Sequence, residues 1–524
     1  MQTILNLFTQ TYFYWLLFGF FLLAVIIRDV FIQKSHTITH NFPIIGHIRY
    51  WIEKIGPELR QYIVANNREE LPFNRQERSW IYASSKNENN LQGFGSDQDF
   101  NSPGYIFIKN AMMGFNPPKD HFSKKNPGVI PAAKVMGTFH NRKRPYRPHS
   151  IINISGMSFG SLSAKAVESL NKGALQAGCY HNTGEGSISP YHTFGSDIVL
   201  NIGTAYFGVR DIEGSFSMEK LLEKVNSLPQ LRAIEVKLSQ GAKPGKGGML
   251  PGSKVDAEIA AIRGIEIGKD AFSPAFHKEF NTIPEMVGFI EKIADATGLP
   301  VGIKSAIGRL EQWEELAKYM NKTGKGPDFI TIDGGEGGTG AAPHAFADHV
   351  SMPFTFAFAK VYQIFQREEL TDKIFFIASG KLGFPEKALM AFAMGADSIN
   401  IAREAMLSIG CIQAQKCHTN HCPTGIATSN KWLQSGIDIT LKSERFYRYH
   451  YTLVKEISEI THAMGYEHPC EISMDDLEFS MGDNNRTIAI SKALGYHKTK
   501  IEFDGFEKII KCDHIGGIGS RIHF

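Results

Sequence analysis

Three of the chain's six cysteines, Cys411, Cys417 and Cys422, crowd into the stretch GCIQAQKCHTNHCPTG. Their spacing, C-x5-C-x4-C with a proline after the third, points to thiolate ligation. Three thiolates suit an iron–sulfur cluster with one corner missing. Zinc takes four ligands, and His418 or His421 would supply the fourth. A disulfide with one spare thiol is the remaining reading, and the reducing compartment expected below argues against it. Cys179, Cys470 and Cys512 have no spaced companions, and six cysteines in 524 residues are too sparse for a disulfide scaffold.

A second chemical signal is glycine. SGMSFGS, NTGEGS, SQGAKPGKGG, DGGEGGTG and ASGKLG each follow a short β-branched run. A backbone without side chains lets N–H groups approach a phosphate or a flat ring closely. One such loop reads as a tight turn, but five in one register read as a binding face. Neither a Walker A sequence nor a strand-linked Gly-x-Gly-x-x-Gly is evident, so ATP and a nicotinamide domain are poorly supported and FMN is the better candidate.

These loops need a scaffold, and the sequence repeats one between about Ser150 and Ala402. Eight runs, IINIS, YHNT, IVLNI, IEVKLS, VGIKS, FITIDG, FFIASG and SINIA, predict strands. Helical periodicity falls between several of them, at Ala164 to Ala177, Met218 to Leu228, Pro284 to Thr297 and Pro385 to Gly395. The pattern predicts an α/β fold, a closed (β/α)8 TIM-type barrel, with a doubly wound open sheet as the alternative. In a barrel the residues just after each strand form the active face. The loops after the seventh and eighth strands, Ser379-Gly380-Lys381 and Ala402-Arg403, are where barrels commonly hold a phosphate.

Outside the barrel, TYFYWLLFGFFLLAVII from Thr11 to Ile27 is uncharged, and with apolar character reaching back to Ile4 the segment is long enough for the about 20 residues a bilayer span needs. No basic residue precedes it and no cleavage pattern follows, so it reads as an anchor rather than a signal peptide. Arg28, Lys34 and Arg49 place the main body in the cytoplasm by the positive-inside bias, giving a single-pass inner-membrane protein. The following stretch, HIRYWIEKIGPELRQYIV, spaces Ile48, Trp51, Ile52, Ile55, Leu59 and Ile63 helically with an interruption at Gly56-Pro57. It reads as a helix pair packed against the next domain, with a membrane-surface position as the alternative. SSKNENNLQGFGSDQDFNS, from Ser84 to Ser102, reads as a loop. Near the C-terminus, Phe446, Tyr449, Leu453, Ile457, Ile460 and Met464 form a helix face suited to core packing. A formal charge of +3 from 56 basic and 53 acidic residues gives no basis for nucleic-acid binding.

Taken together, GCIQAQKCHTNHCPTGIAT, DGGEGGTGAAP, QGAKPGKGGMLPG, MSFGSLS and NTGEG resemble, in content and order, the synthase domain of glutamate synthase. That likeness runs from about Gly137 to Asn430. With the apolar start and NFPIIGHIRYWIEKIGPELRQY, the chain is similar over nearly its whole length to short FMN-binding glutamate-synthase-like proteins of bacteria. The resemblance implies a membrane anchor (1–34), an N-terminal flanking region (35–136), an FMN barrel with an iron–sulfur cysteine motif (137–430) and a helical extension (431–524).

It also implies a three-iron, four-sulfur cluster on Cys411, Cys417 and Cys422. FMN would lie against Met157 and Ser158, with Lys304 at the electron-rich edge of the ring. Asp333, Gly334 and Gly335 would follow the ribityl side, and Ser379, Gly380, Ala402 and Arg403 the phosphate. Lys237, Gln240 and Lys243 would bind a 2-oxo acid, and Glu185 resembles the acid at the ammonia entrance. The implied activity is that of an oxidoreductase acting on CH–NH2 donors, aminating 2-oxoglutarate to glutamate with electrons from ferredoxin or another protein.

Two departures qualify it. The chain opens MQTILNLF where full-length glutamate synthases carry a glutaminase cysteine, so a separate source of ammonia or amine is expected. Lys246 stands where the family pattern usually has glutamate, which bears on the substrate. Joining another amine to a 2-oxo acid, amino-acid dehydrogenation, and a non-catalytic structural barrel are the alternatives.

Overall fold

The computed structural model describes residues 2–62, 68–482, 486–501, 503–506 and 508–509. Cys512 and the tail HIGGIGSRIHF lie outside the described residues.

Eight parallel strands close into a barrel: β1 Ile152–Ile154, β2 His181–Asn182, β3 Ile198–Ile202, β4 Leu231–Lys237, β5 Val301–Ala306, β6 Phe329–Asp333, β7 Phe375–Ser379 and β8 Ser398–Ile401. Each pairs with its neighbour in sequence, and β8 returns to β1. All eight predicted runs are therefore strands, and the open-sheet alternative is excluded.

The intervening helices start and stop where local chemistry requires. Ser163 accepts from the Ala166 N–H to cap helix Ala164–Ala177, and Gly178 ends it in the left-handed region. Thr282 and Glu285 form a capping box at the start of helix Ile283–Thr297. Between β2 and β3 a single 3-10 turn, Pro190–His192, replaces the helix. The connection from β4 to β5 is the longest excursion, carrying a small hairpin (Met249–Leu250 with Ala271–Phe272), the turn Gly252–Lys254 and helix Ala257–Arg263.

Strand alternation fills the barrel in layers. Val199, Ala233, Phe329, Phe375 and Ile377 form an apolar floor with Ala132, Met136, Tyr146 and Tyr180. Gly302 makes room for it, because a Cβ there would sit 2.3 Å from the Phe329 ring. Above the floor, buried Glu235 accepts from Asn182, Asn201 and Thr331. Thr331 lies on β6, so this bond crosses β5 and is made through the barrel interior. Two residues further along the strands, the same inward face presents Lys237 and Asp333.

Around the barrel, helix Ile439–Ala463 packs against Ala164–Ala177, Arg75–Lys86 and Pro385–Met394. Phe446, Tyr449, Leu453 and Ile457 are fully buried, as the spacing predicts. Strand Ile106–Ile108 pairs with Leu477–Ser480, which pairs with Thr487–Ala489, joining both flanks in one small sheet.

The region after the apolar segment differs from expectation in two ways. Ile45–Tyr62 is one continuous helix through Gly56-Pro57. Gly56 lacks the Cβ that would crowd the proline ring, and a Cβ there would also sit 2.8 Å from Arg75 Nη1. Its apolar residues Ile48, Trp51 and Ile52 are exposed rather than packed on the barrel, and Trp51 is 64% exposed. The opposite side of the helix makes the contacts instead: Gly46 meets the Ile38 backbone, and His47 Nε2 lies 2.7 Å from the buried carboxylate of Asp29. Before it, Gln2–Ile27 is helical and Arg28–Ile32 continues as a π-helix. Tyr12–Ile32 is long and apolar enough to cross a membrane.

Candidate active site at the carboxyl ends of the barrel strands

Lys237 ends β4, and Lys304 stands directly opposite it in register on β5. Asp333 ends β6 and pairs in register with Ser379, the last residue of β7. Alternation turns all four toward the barrel axis. Lys304 Nζ lies 3.6 Å from Asp333 Oδ2 and 3.4 Å from Ser155 Oγ. Burial opposes its charged form, but Asp333 and then Glu235 outweigh that and hold the ammonium above its usual range. Asp333 also accepts from the Gly241 N–H at 2.9 Å and from Ser379 Oγ at 2.8 Å, tying three loops to one carboxylate.

Lys237 Nζ has its own partners, Glu185 Oε2 at 3.1 Å and Gln240 Oε1 at 2.5 Å. Burial would raise the Glu185 carboxyl, yet Lys237, Lys243 and Arg263 reverse the balance and hold it below its usual 4.5. Gln240 Nε2 in turn donates to Thr339 Oγ1 at 3.1 Å, joining the loop after β4 to the loop after β6. Glu185, Lys237, Gln240 and Lys246 line a small open cleft. Lys243 is oriented differently: its buried Nζ donates to the Ala341 carbonyl at 2.8 Å, and burial lowers its pKa.

The remaining expected positions gather around the same mouth. Met157 and Ser158 are buried beside Gly184, where a Cβ would sit 2.5 Å from the Ser158 N. Gly334 N–H donates to the Ser379 carbonyl and Gly335 N–H to the Met352 carbonyl, both at 2.8 Å. Gly380 has φ +144°, a conformation that favours glycine. Ala402 precedes the short helix Arg403–Ser408, and the Arg403 guanidinium donates to the Glu336 carbonyl. Glu185, Asp333, Ser379 and Arg403 are thus in one connected set of loops.

Cys411, Cys417 and Cys422 lie beside that mouth, with no disulfide among them. Burial first, and then the neighbouring thiols, push Cys411 up to about 12 and raise Cys417. The three thiols feel one another without closing around a point. Among the described residues no group of three or more His, Cys, Asp or Glu side chains is placed to hold a single metal ion.

Residues 122–467 match the conserved region in glutamate synthase. The chain belongs to the glutamate synthase family. It is 40% identical over 484 residues to the glutamate synthase large subunit-like protein YerD of Bacillus subtilis, covering 86% of this chain and 91% of that one. It is 32% identical over 357 residues to the archaeal glutamate synthase [NADPH] of Methanocaldococcus jannaschii, covering 68% and 64%. Among solved structures, a flavocytochrome b2 variant with sulfite bound shares 14% identity, with a TM-score of 0.42 over 86% of this chain and 92% of that one.

Within this glutamate synthase barrel, several neighbours of the site were not evident from the sequence. Phe73, Glu77 and Tyr82 come from outside the barrel. The Phe73 ring lies 5.0 Å from Lys381 Nζ and 5.1 Å from the Arg403 guanidinium carbon. Glu77 bridges Lys381 at 2.9 Å and Lys387 at 2.7 Å. Tyr82 donates to the Cys411 carbonyl at 2.7 Å. The Asn74–Glu77 capping box is a sequence signal for the helix Arg75–Lys86, but carries no signal for where that helix docks.

Proposed function

We propose that this chain is a membrane-anchored oxidoreductase of the glutamate synthase type that binds FMN and an iron–sulfur cluster and reductively aminates a 2-oxo acid, 2-oxoglutarate first among them. The observation that carries the reading is the pair of opposed ammonium groups, Lys237 and Lys304, each with its own carboxylate beside a cleft at the strand ends.

The residues fit both groups. A buried, charged Lys304 suits the electron-rich edge of a flavin. Gly184 and Gly380 leave backbone where a side chain would obstruct, and Arg403 supplies a cation for the phosphate. The thiols of Cys411, Cys417 and Cys422 are the donor type a cluster takes. Zinc gathers thiolates at about 2.3 Å around one point, whereas a cluster spreads them over several irons. The three-cysteine spacing supports the second case.

When bound, FMN supplies hydride transfer and the cluster one-electron transfer. The chain's own part is binding and charge placement. Lys237 and Gln240 orient the carboxylate and carbonyl of the 2-oxo acid, and Lys246 at the lip of the cleft adds a cation for a second carboxylate. Glu185, kept ionised, accepts hydrogen bonds from ammonia or an amine. Lys304 holds positive charge beside the ring. Ferredoxin or another reductant supplies electrons, and ammonia comes from a separate source. The helix Tyr12–Ile32 crosses the inner membrane once, with the barrel in the cytoplasm on the side of Arg28 and Lys34.

The test is iron, acid-labile sulfide and flavin content of protein purified without oxygen, with absorbance before and after dithionite, followed by assays with 2-oxoglutarate and either ammonia or small amines. About one FMN and three to four iron and sulfide per chain agree with the proposal. Zinc in place of iron without flavin overturns it.

A further inference from the structure

We propose that Lys254 is the fixed counter-charge of the iron–sulfur cluster and sets its reduction potential. The inference rests on the reading of Cys411, Cys417 and Cys422 as cluster ligands.

Lys254 ends the turn Gly252–Lys254 in the long β4–β5 connection and is 2% exposed. Its Nζ donates to the Ser161 carbonyl at 2.7 Å and lies 3.4 Å from the Cys417 carbonyl. Among the described residues it pairs with no carboxylate, the usual companion of a buried ammonium. Burial opposes its charge, the Cys417 and Cys422 thiols favour it, and Arg263 opposes it.

Arg263, nine residues further along the same connection, is also buried without a carboxylate at ion-pair distance among the described residues, its nearest negative influence being Glu185. It donates to Ser158 Oγ at 3.2 Å and to the Phe159 carbonyl at 2.8 Å, and its Nε is buried without a partner. One segment thus buries two cations against the loop 158–161, which follows β1, and meets the cysteine loop through Lys254 and through the Ser253 carbonyl, which accepts from Asn420 Nδ2 at 2.7 Å.

Burying unpaired positive charge costs several kcal/mol per ion unless negative charge comes close. Three thiolates holding an iron–sulfur core supply it. Reduction adds one electron to that core, taken from the external reductant, and makes or breaks no bond to Lys254. The added negative charge is stabilised by a nearby ammonium held in a medium that screens poorly. Lys254 therefore favours the reduced form and raises the potential.

The experiment is a redox titration of the full-length holoprotein, with dithionite as reductant and the cluster followed by electron paramagnetic resonance, alongside iron and sulfide analysis. Lys254→Gln is expected to keep its iron while its reduced-to-oxidised ratio at a fixed potential falls about tenfold, the ratio that 59 mV represents for one electron. Lys254→Arg is expected to stay within about threefold of the parent, since it preserves the charge. Iron lost from the glutamine variant and kept in the arginine variant supports the same role. An unshifted potential in Lys254→Gln, or iron lost from both variants, overturns it. Absence of iron from the parent protein refutes the cluster reading itself, a result distinct from either.

Discussion

Lys237 and Lys304 face each other across adjacent strands, yet each ammonium has a separate carboxylate: Glu185 at 3.1 Å for the first and Asp333 at 3.6 Å for the second. Two like charges so placed repel, and the arrangement is stable because neither is left uncompensated. The two pairs also differ in kind. Lys237 opens on the cleft with Glu185, whereas Lys304 and Asp333 sit deeper and bind the loops together.

Removing the deeper carboxylate should be costly. Asp333→Asn leaves Lys304 short of a counter-charge, and about 3 kcal/mol of stability is expected to go with it. Urea unfolding followed by circular dichroism measures this, and Lys304→Met in the same chain should restore part of the loss.

Glu185 predicts a pH dependence with a definite sign. Its folded-state pKa lies below 4.5, so its contribution is present above that value and disappears as pH falls through the folded-state value. The stability difference between the parent and Glu185→Gln should be flat from about pH 6 to 8 and close in acid. Unfolding curves across pH test this; a difference that grows on acidification contradicts the assignment.

Substrate affinity should separate the two lysines of the loop after β4. Lys237→Met removes a charge-assisted hydrogen bond worth about 1.5–3 kcal/mol, so the KM for 2-oxoglutarate should rise roughly 10- to 100-fold. Lys243→Met should change it by about threefold or less, because that ammonium serves the Ala341 carbonyl. The lysine variants are compared by steady-state kinetics at fixed ammonia.

Phe73 predicts a dependence of FMN binding on a residue outside the barrel. Phe73→Leu keeps an apolar side chain but removes the ring from Lys381 and Arg403, forfeiting about 0.5–1 kcal/mol per contact. Flavin fluorescence titration should show roughly 5- to 30-fold weaker retention. Unchanged affinity would separate this ring from the phosphate loops.

Deleting residues 2–27 should move the protein from the membrane to the soluble fraction with its near-ultraviolet circular dichroism unchanged. The Asp29–His47 contact and everything after it remain in such a variant. Persistence in the membrane fraction would assign attachment to the exposed face of helix Ile45–Tyr62.

The barrel was legible because its signal is periodic: the eight short runs, and the helical spacing after several of them, can be read from the sequence. Lys304 and Asp333 were singled out through the family resemblance, and strand alternation and closure bring them to one mouth. The docking of Phe73 and Glu77 was not, because it depends on contacts between segments three hundred residues apart. Nor was the exposure of Ile48, Trp51 and Ile52. Periodicity identifies an apolar stripe but says nothing of what the stripe meets, and Gly46 and His47 turn the other side of that helix inward.

Among the described residues, the apolar helix is tied directly to the segment that follows it. The π-turn Arg28–Ile32 follows the helix directly, and Asp29, wholly buried, accepts from the Ile44 N–H and contacts His47. With the helix in a bilayer, the catalytic head is therefore mounted on a stiff stalk rather than a tether. In that setting its mouth would hold one bearing relative to the lipid plane, and a donor would have to meet it from the directions that bearing leaves open.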